Sequence, residues 1–235
     1  MQRHFESSKQ LLEHLSKQTD SVILGFSRGK ESICCWLELK KYFKNIYPYH
    51  LDVIPNLKFV EESLKYFENY FNQKIERYTH PSFYRLLDND VFQTPETSKA
   101  LKNISFYRHL DYKDIQEDMR FKYNIPDALT AIGIRQADSP LRFSAINKHG
   151  SISYKLKQFY PLFDWKKSDI IKCIKENNIN LPIDYKIFGM SFDGIDYRFM
   201  KPLRDNLPED FHTIKTFFPL IELDILRRQD GKQTI

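Results

Sequence analysis

Apolar residues recur along this chain in two rhythms, one of helical spacing and one of short unbroken runs, and the two alternate over the first eighty residues. Phe5, Leu11, Leu12 and Leu15 share one helical face among Lys, Glu and Gln. Ser21-Val22-Ile23-Leu24-Gly25-Phe26 is apolar and bounded by polar residues, the mark of a short buried strand. Ile33, Trp36 and Leu37 then form a helical stripe that ends at Lys40-Lys41, basic residues that suit a helix C-terminus. Ile46 to Val53, which carries Asp52 near its end, predicts a second strand; Phe59, Leu64, Phe67 and Phe71 predict a helix; Lys74 to Tyr78 predicts a third strand. Strands alternating with helices in this way build βαβ units and a parallel sheet.

The middle of the chain is less regular. Phe83 to Leu87 predicts a short helix, the polar stretch Gln93 to Asn103 a loop, and Asp111 to Tyr123 a helix that stops before Pro126. Ala128 to Ile134 is apolar between turn residues and predicts a central strand, with Arg135 at its C-terminal end, the edge of an open parallel sheet where ligands bind. Phe159 to Phe163 predicts an extended piece, and Lys167 to Asn177 a helix with Ile170, Ile171 and Ile174 inward, capped by Asp164 or Ser168. From Pro182 to Arg228 the spacing of Gly189, Gly194, Pro202, Pro208 and Pro219 predicts short helices joined by turns. No internal repeat is present. The expected fold is therefore α/β and Rossmann-like, a doubly wound, mainly parallel sheet with flanking helices over residues 1–165, and a helical C-terminal extension over 166–235 packed on it.

Composition changes this picture little. The chain of 235 residues is 41% hydrophobic and 29% charged, and its net charge of +5 permits a phosphate-bearing partner without requiring one. Cys34, Cys35 and Cys173 form no disulfide framework and no C-x-x-C pair, so neither a zinc nor an iron–sulfur site is expected, and no metal ligand is assigned. The opening Met1-Gln2-Arg3-His4-Phe5-Glu6 has no apolar stretch of a secretory signal, and no run approaches the length of a membrane span. The expectation is a cytoplasmic protein without a membrane partner.

The strongest chemistry lies in the loop Ser27-Arg28-Gly29-Lys30-Glu31-Ser32, between the first strand and its helix. Successive backbone N–H groups of such a turn converge on one concavity, and the helix adds its positive end, which together make an anion site. Lys30 brings a point charge, and Ser27 and Ser32 bring hydroxyls. The Walker pattern is absent. The plainer alternative is a polar turn before an amphipathic helix. A second cationic group follows the predicted central strand, in Gly133-Ile134-Arg135-Gln136-Ala137-Asp138-Ser139-Pro140-Leu141-Arg142. Its two guanidiniums offer planar forks for phosphate or sulfate; the plainer alternative is two surface arginines at the start of a helix.

The loop resembles the PP-loop of the N-type ATP pyrophosphatases, S-G-G-K-D-S after an apolar strand, with Arg28 in place of the first glycine and Glu31 in place of the aspartate. The Gly133–Arg142 segment resembles the G-[LI]-R-x-x-[ED]-S-x-x-R segment of phosphoadenosine phosphosulfate (PAPS) reductases and their relatives. Tyr160-Pro161-Leu162-Phe163-Asp164-Trp165-Lys166-Lys167-Ser168-Asp169-Ile170 is similar to that family's P-L-x-x-W-x-x-x-D-[VI] segment, and Leu57 to Phe71 to the helix after its second strand. The resemblance runs in order over about residues 20–190. The family's catalytic cysteine is missing, because no cysteine follows residue 173, so classical thiol-dependent PAPS reduction is not expected. Ser191 to Arg198 stands where relatives carry cysteine-bearing segments; its Asp193, Asp196 and Arg198 read as substrate groups or as an Asx-type turn. The run Phe211 to Arg228 resembles the ends of short family members common in phage and mobile-element genomes.

Three readings follow. The resemblance implies an enzyme that binds ATP with Mg²⁺, cleaves it between the α and β phosphates and transfers the adenylyl group to an unknown acceptor. Lys30, Arg135 and Arg142 would then be catalytic, and Ser27, Arg28, Gly29, Lys30, Glu31, Ser32, Asp52 and Gly133 would bind the nucleotide, Asp52 near the adenosine or the metal. It also implies that ATP and a sulfated nucleotide are both candidate ligands, and that a homodimer is a common state of relatives. A second reading is a nucleotide-binding module without chemistry of its own, acting beside a ParB-like partner in gene regulation or nucleic-acid modification. A third is direct nucleic-acid binding through Tyr107, Arg108, Tyr112, Lys113, Arg120, Lys122 and Tyr123, where aromatic and basic residues interleave.

Overall fold

The computed structural model describes residues 5–104 and 109–230. Tyr107 and Arg108 of the third reading lie outside the described residues, as do the first four residues read for a secretory signal and the last five of the expected extension. Helix α1 (Ser8–Ser16) buries Leu11, Leu12 and Leu15 and is capped by the Ser7 hydroxyl, which accepts the Gln10 N–H. Strand β1 (Ser21–Gly25) follows, buried at its first four residues as a central strand must be. Helix α2 (Lys30–Leu39) returns the chain to β2 (Asn45–Asp52), parallel to β1 in the register Ser21↔Asn45 to Gly25↔Tyr49.

Helix α3 (Lys58–Phe71) buries Phe59, Val60, Leu64, Phe67 and Phe71 at helical spacing and leads to β3 (Glu76–Thr79). Three helices come next: α4 (Pro81–Asp88), α5 (Pro95–Ile104) and α6 (Tyr112–Lys122). Strand β4 (Thr130–Ala131) lies on the other side of β1 and parallel to it. A turn of 3₁₀ helix at Gln136–Asp138 and helix α7 (Pro140–His149) precede the hairpin β5 (Ile152–Ser153) and β6 (Gln158–Phe159). The remainder is helical: α8 (Lys167–Glu176), α9 (Ile183–Ile187), α10 (Tyr197–Asn206), α11 (Pro208–Phe217) and α12 (Ile221–Asp230).

The six strands form one sheet in the order β3-β2-β1-β4-β6-β5. β1 pairs in parallel with β2 and β4, β4 pairs in parallel with β6, and β5 is antiparallel to β6. The chain builds outward from β1 through β2 and β3, then returns to continue on β1's other side. This is the expected α/β Rossmann-like, mainly parallel sheet. The reversal falls between β1 and β4, the position at which open α/β sheets bind ligands.

Four local expectations are corrected. The central strand is only Thr130–Ala131 rather than 128–134: Ile132 still donates to Phe159, but Ile134 N–H folds back onto the Ile132 carbonyl at 2.8 Å and ends the ladder. Gln93 to Asn103 is mostly helix α5, started by Pro95 and by reciprocal bonds between Thr94 and Thr97, so its polarity marks a solvated helix and not a loop. Strand β6 stops at Phe159, because Tyr160 to Phe163 closes a turn around Pro161, which has no N–H to give. Helix α8 is capped by Asp169, whose carboxylate accepts the Lys166 N–H at 2.7 Å; Asp164 instead accepts the Ser8 N–H at 3.2 Å.

Contacts divide the chain into two compact units. The first takes the stretch up to His50, Lys74–Arg77 and Tyr112–Leu181, and its core includes Leu11, Ile23, Leu24, Trp36, Phe159 and Leu162. The second takes Leu51–Gln73, Tyr78–Asp111 and the chain from Pro182 on, with a core rich in Phe. Among the described residues no helix is long and apolar enough to cross a membrane.

Candidate functional site

The first unit brings together the loop after β1 and the segment after β4. Both follow neighbouring parallel strands paired at Leu24↔Ala131, so both leave the sheet at one edge. The exit from β1 is held by two bonds: Phe26 N–H donates to Tyr49 at 2.8 Å, and the buried His50 donates from Nδ1 to the Phe26 carbonyl at 2.8 Å. Nothing in the sequence pattern singles out His50.

Within the loop, Arg28 adopts φ 63°, the left-handed region, at the position where the PP-loop pattern has its first glycine. A non-glycine residue there carries about 1 kcal/mol of backbone strain. The Arg28 side chain is only 1% exposed, so it packs within the unit and not across the loop mouth. The two serines serve the loop itself. Ser27 Oγ donates to Ser32 Oγ (3.2 Å) and accepts the Gly29 N–H (3.3 Å), while the buried Ser32 Oγ donates to the Gly29 carbonyl (2.9 Å). Ser32 thereby shapes the loop from inside, and Ser27, which is exposed, is the serine able to turn outward. Helix α2 begins at Lys30 with Gly29 as its N-cap and no side-chain capping bond. Its N-terminal dipole is therefore not spent on a capping oxygen.

Gly133 lies against this turn. A Cβ there would stand 3.1 Å from the Glu31 carbonyl carbon and 3.1 Å from the Ser32 nitrogen, so only glycine lets the β4 exit approach the start of α2 this closely. Arg135 follows, and its side chain is only 10% exposed. Nη2 bonds Glu31 at 3.1 Å and Asp138 at 2.7 Å, while the Asp138 carboxylate also accepts the Arg135 N–H at 2.9 Å and Arg142 Nη1 at 2.9 Å. Arg135 Nε and Nη1 are buried without a hydrogen-bond partner among the described residues. A buried charged donor left unmade costs about 1–3 kcal/mol, a cost that an anion at these two nitrogens would relieve.

The two arginines are thus not the bare cationic floor that the sequence pattern implies. Glu31 and Asp138 position them, and Asp138 was not singled out as a site residue although it lies between them. Lys30, Arg135 and Arg142 still outnumber the two carboxylates. Asp52 ends β2, accepts the His80 N–H through its carbonyl at 2.9 Å, and is a residue of the second unit.

Other expected groups have structural employment. Arg120 is 2% exposed and bonds the Ala128 carbonyl, Thr130 and Glu117; Lys122 and Tyr123 bond Glu76. These three do not form an open basic face. Asp196 caps α10 by accepting the Arg198 N–H at 2.9 Å and also pairs the Arg198 guanidinium, which is the Asx-type arrangement. All three cysteines are buried. The Cys34 thiol is pushed up by its hydrogen bond to Cys173 and by burial, and burial pushes up Cys35, so neither is a ready thiolate. Among the described residues, no group of three or more His, Cys, Asp or Glu could hold a metal ion.

No family model matches the chain. No curated protein matches it by sequence. Among solved structures it is similar to the NH3-dependent NAD synthetase from Campylobacter jejuni subsp. jejuni NCTC 11168 in complex with the nitrate ion, with a TM-score of 0.47, 15% identity, and coverage of 94% of this chain and 92% of that one.

Proposed function

We propose that this chain binds ATP at the loop Ser27–Ser32 and cleaves it between the α and β phosphates, passing the adenylyl group to an acceptor oxygen. The observation that carries the reading is the convergence of three things in one unit: a helix N-terminus without a side-chain cap after a central parallel strand, the cations Lys30, Arg135 and Arg142, and a buried guanidinium with two unpartnered nitrogens. Each is an anion-binding device, and together they suit a polyphosphate. In this reading the acceptor oxygen forms a bond to the α phosphorus, the bond from that phosphorus to the bridging oxygen breaks, and pyrophosphate leaves. Lys30 offsets charge on the leaving pyrophosphate, with Ser27, Gly29 and the α2 N-terminus around it. Arg135 and Arg142, held by Glu31 and Asp138, orient the α phosphate or the acceptor. The contribution is positioning and fixed charge.

The nucleotide fits the donors present. Mg²⁺ fits less well as a protein-bound ion, because Glu31 and Asp138, the carboxylates of the cluster, are already engaged by arginine. Its ligands would be phosphate oxygens, and no step is routed through it. The resemblance to PAPS reductase-like proteins supports the nucleotide class but not their reduction chemistry, which lacks an available thiol here.

The test is Lys30→Ala, read by calorimetry with ATP and by pyrophosphate release. Loss of one charge-assisted contact predicts roughly tenfold to hundredfold weaker binding with an unchanged melting temperature. Unchanged affinity and unchanged pyrophosphate release would overturn the reading. A 3′-phosphorylated adenosine found by mass spectrometry in the purified protein would redirect it to a sulfonucleotide.

A further inference from the structure

Ser139 to Phe163 contains no Asp or Glu. The whole chain has 31 in 235 residues, so a stretch of this length would ordinarily carry about three. The same stretch holds Arg142, Lys148, His149, Lys155 and Lys157. It folds as α7 and the β5–β6 hairpin, which enclose a groove of about 390 Å³ within the first unit. Arg142, Ala145, Ile146 and His149 line it from α7, at the i, i+3, i+4 and i+7 spacing of one helical face, and Lys155, Leu156 and Tyr160 line it from the hairpin side. No carboxylate contributes to its walls.

The surroundings are unusually apolar for a solvated surface. Leu141 is 82% exposed and Leu156 57%. Lys148, His149 and Lys155 are exposed, and none pairs with a carboxylate among the described residues. The helix dipole explains basic residues at the C-terminal end of α7, where Lys148 and His149 stand. It does not explain Lys155 in the hairpin or the exposed Leu141 and Leu156.

We propose that this groove and its rim dock a single-stranded nucleic acid. A flexible polyanion whose bases are unstacked matches both properties at once: phosphates meet Lys148, His149 and Lys155, and bases lie on Leu156 and Tyr160. A duplex offers phosphates only and leaves the apolar side chains unmatched. A second copy of the chain fits poorly, because a two-fold interface here would set the same cations against one another. The proposal goes beyond ATP cleavage and stands apart from it, since Arg142 is the one residue shared by the two sites.

The experiment measures fluorescence anisotropy of a labelled twelve-residue oligothymidylate with the full chain, in the absence of ATP. Neutralising about three phosphates on a single strand gives a log–log salt slope near −2, so raising salt from about 50 to about 200 mM weakens binding roughly twentyfold. Lys148→Glu with Lys155→Glu should remove most of this affinity and leave both the melting temperature and ATP binding as they were. Tyr160→Leu, which keeps bulk and removes the ring from the groove wall, should cost at least about fivefold. No binding at low salt, tighter binding to a duplex of equal length, or indifference to the charge reversal would each overturn the proposal. So would a dimer that the charge-reversed variant dissolves, which would assign the face to a second copy. Failure of the Lys30→Ala test leaves this result untouched, because no nucleotide is present in the assay.

Discussion

The two units are held together by different physics. The loop and arginine cluster of the first is polar and under tension: Arg28 is left-handed, Gly133 is pressed against the start of α2, and Arg135 is buried with donors unused. The second unit is built on phenylalanine edges. Phe59, Phe188, Phe192 and Phe199 meet at centroid separations of 5.2–6.4 Å, and Phe83 meets Phe217 and Phe218 at near-perpendicular angles. Its acidic groups serve helix ends: Asp210 accepts the Lys58 N–H at the start of α3, and Asp196 caps α10. One region carries strained backbone and unpartnered donors, and the other is close-packed. Strain concentrated beside unsatisfied donors is the pattern expected where a ligand completes the structure.

That contrast can be broken by substitution. The largest effect is expected from Phe199→Ala, a fully buried ring in contact with Phe188 and Phe192, which should cost about 3–5 kcal/mol of stability. Chemical denaturation measures it, and ATP affinity below the transition should stay unchanged; an equal loss of binding would erase the division of labour. Gly133→Ala is expected to cost less stability, about 1–3 kcal/mol, because the backbone of Glu31 and Ser32 has little room to give. It should nevertheless weaken ATP binding, so calorimetry and denaturation must disagree in rank with the Phe199 result.

The smallest effect concerns pH. His80 caps α4 by accepting the Ser82 N–H at Nδ1, and burial, followed by the charge of Arg85, holds its pKa below the ordinary histidine value. A depressed folded-state pKa means that the unfolded chain takes up the proton first. The cap's contribution is complete above about pH 6.5 and is lost as the pH falls below it. His80→Asn keeps a capping side chain without titrating, so its melting temperature should fall less between pH 7.5 and 5.5 than that of the parent chain. Identical falls would show that the cap contributes nothing measurable.

Much of the fold was legible because it depends on local periodicity. The buried run Ser21–Gly25 and the stripe Phe59, Val60, Leu64, Phe67 and Phe71 dictate a strand and a helix wherever they are placed. Helix α5 was misread because its polar face hides the Thr94–Thr97 cap, and the two-residue strands β4, β5 and β6 are too short to carry a period. Ser27, Glu31 and Arg142 could be read as site residues from the sequence, but not that Glu31 and Asp138 would hold Arg135.

The sequence by itself determined the alternation of elements, the loop with its lysine and its two serines, and the absence of any cysteine beyond residue 173. Tertiary structure alone decided that Glu31 and Asp138 clasp Arg135, that Arg28 turns inward, that Gly133 is a contact and not a hinge, and that α7 buries Ile146 but leaves Leu141, Lys148 and His149 in solvent. Those facts join residues about a hundred positions apart across the β1–β4 seam. Local propensity extends over a few residues, whereas a strand pairing brings distant chain segments to one edge, and only there do their charges and volumes meet.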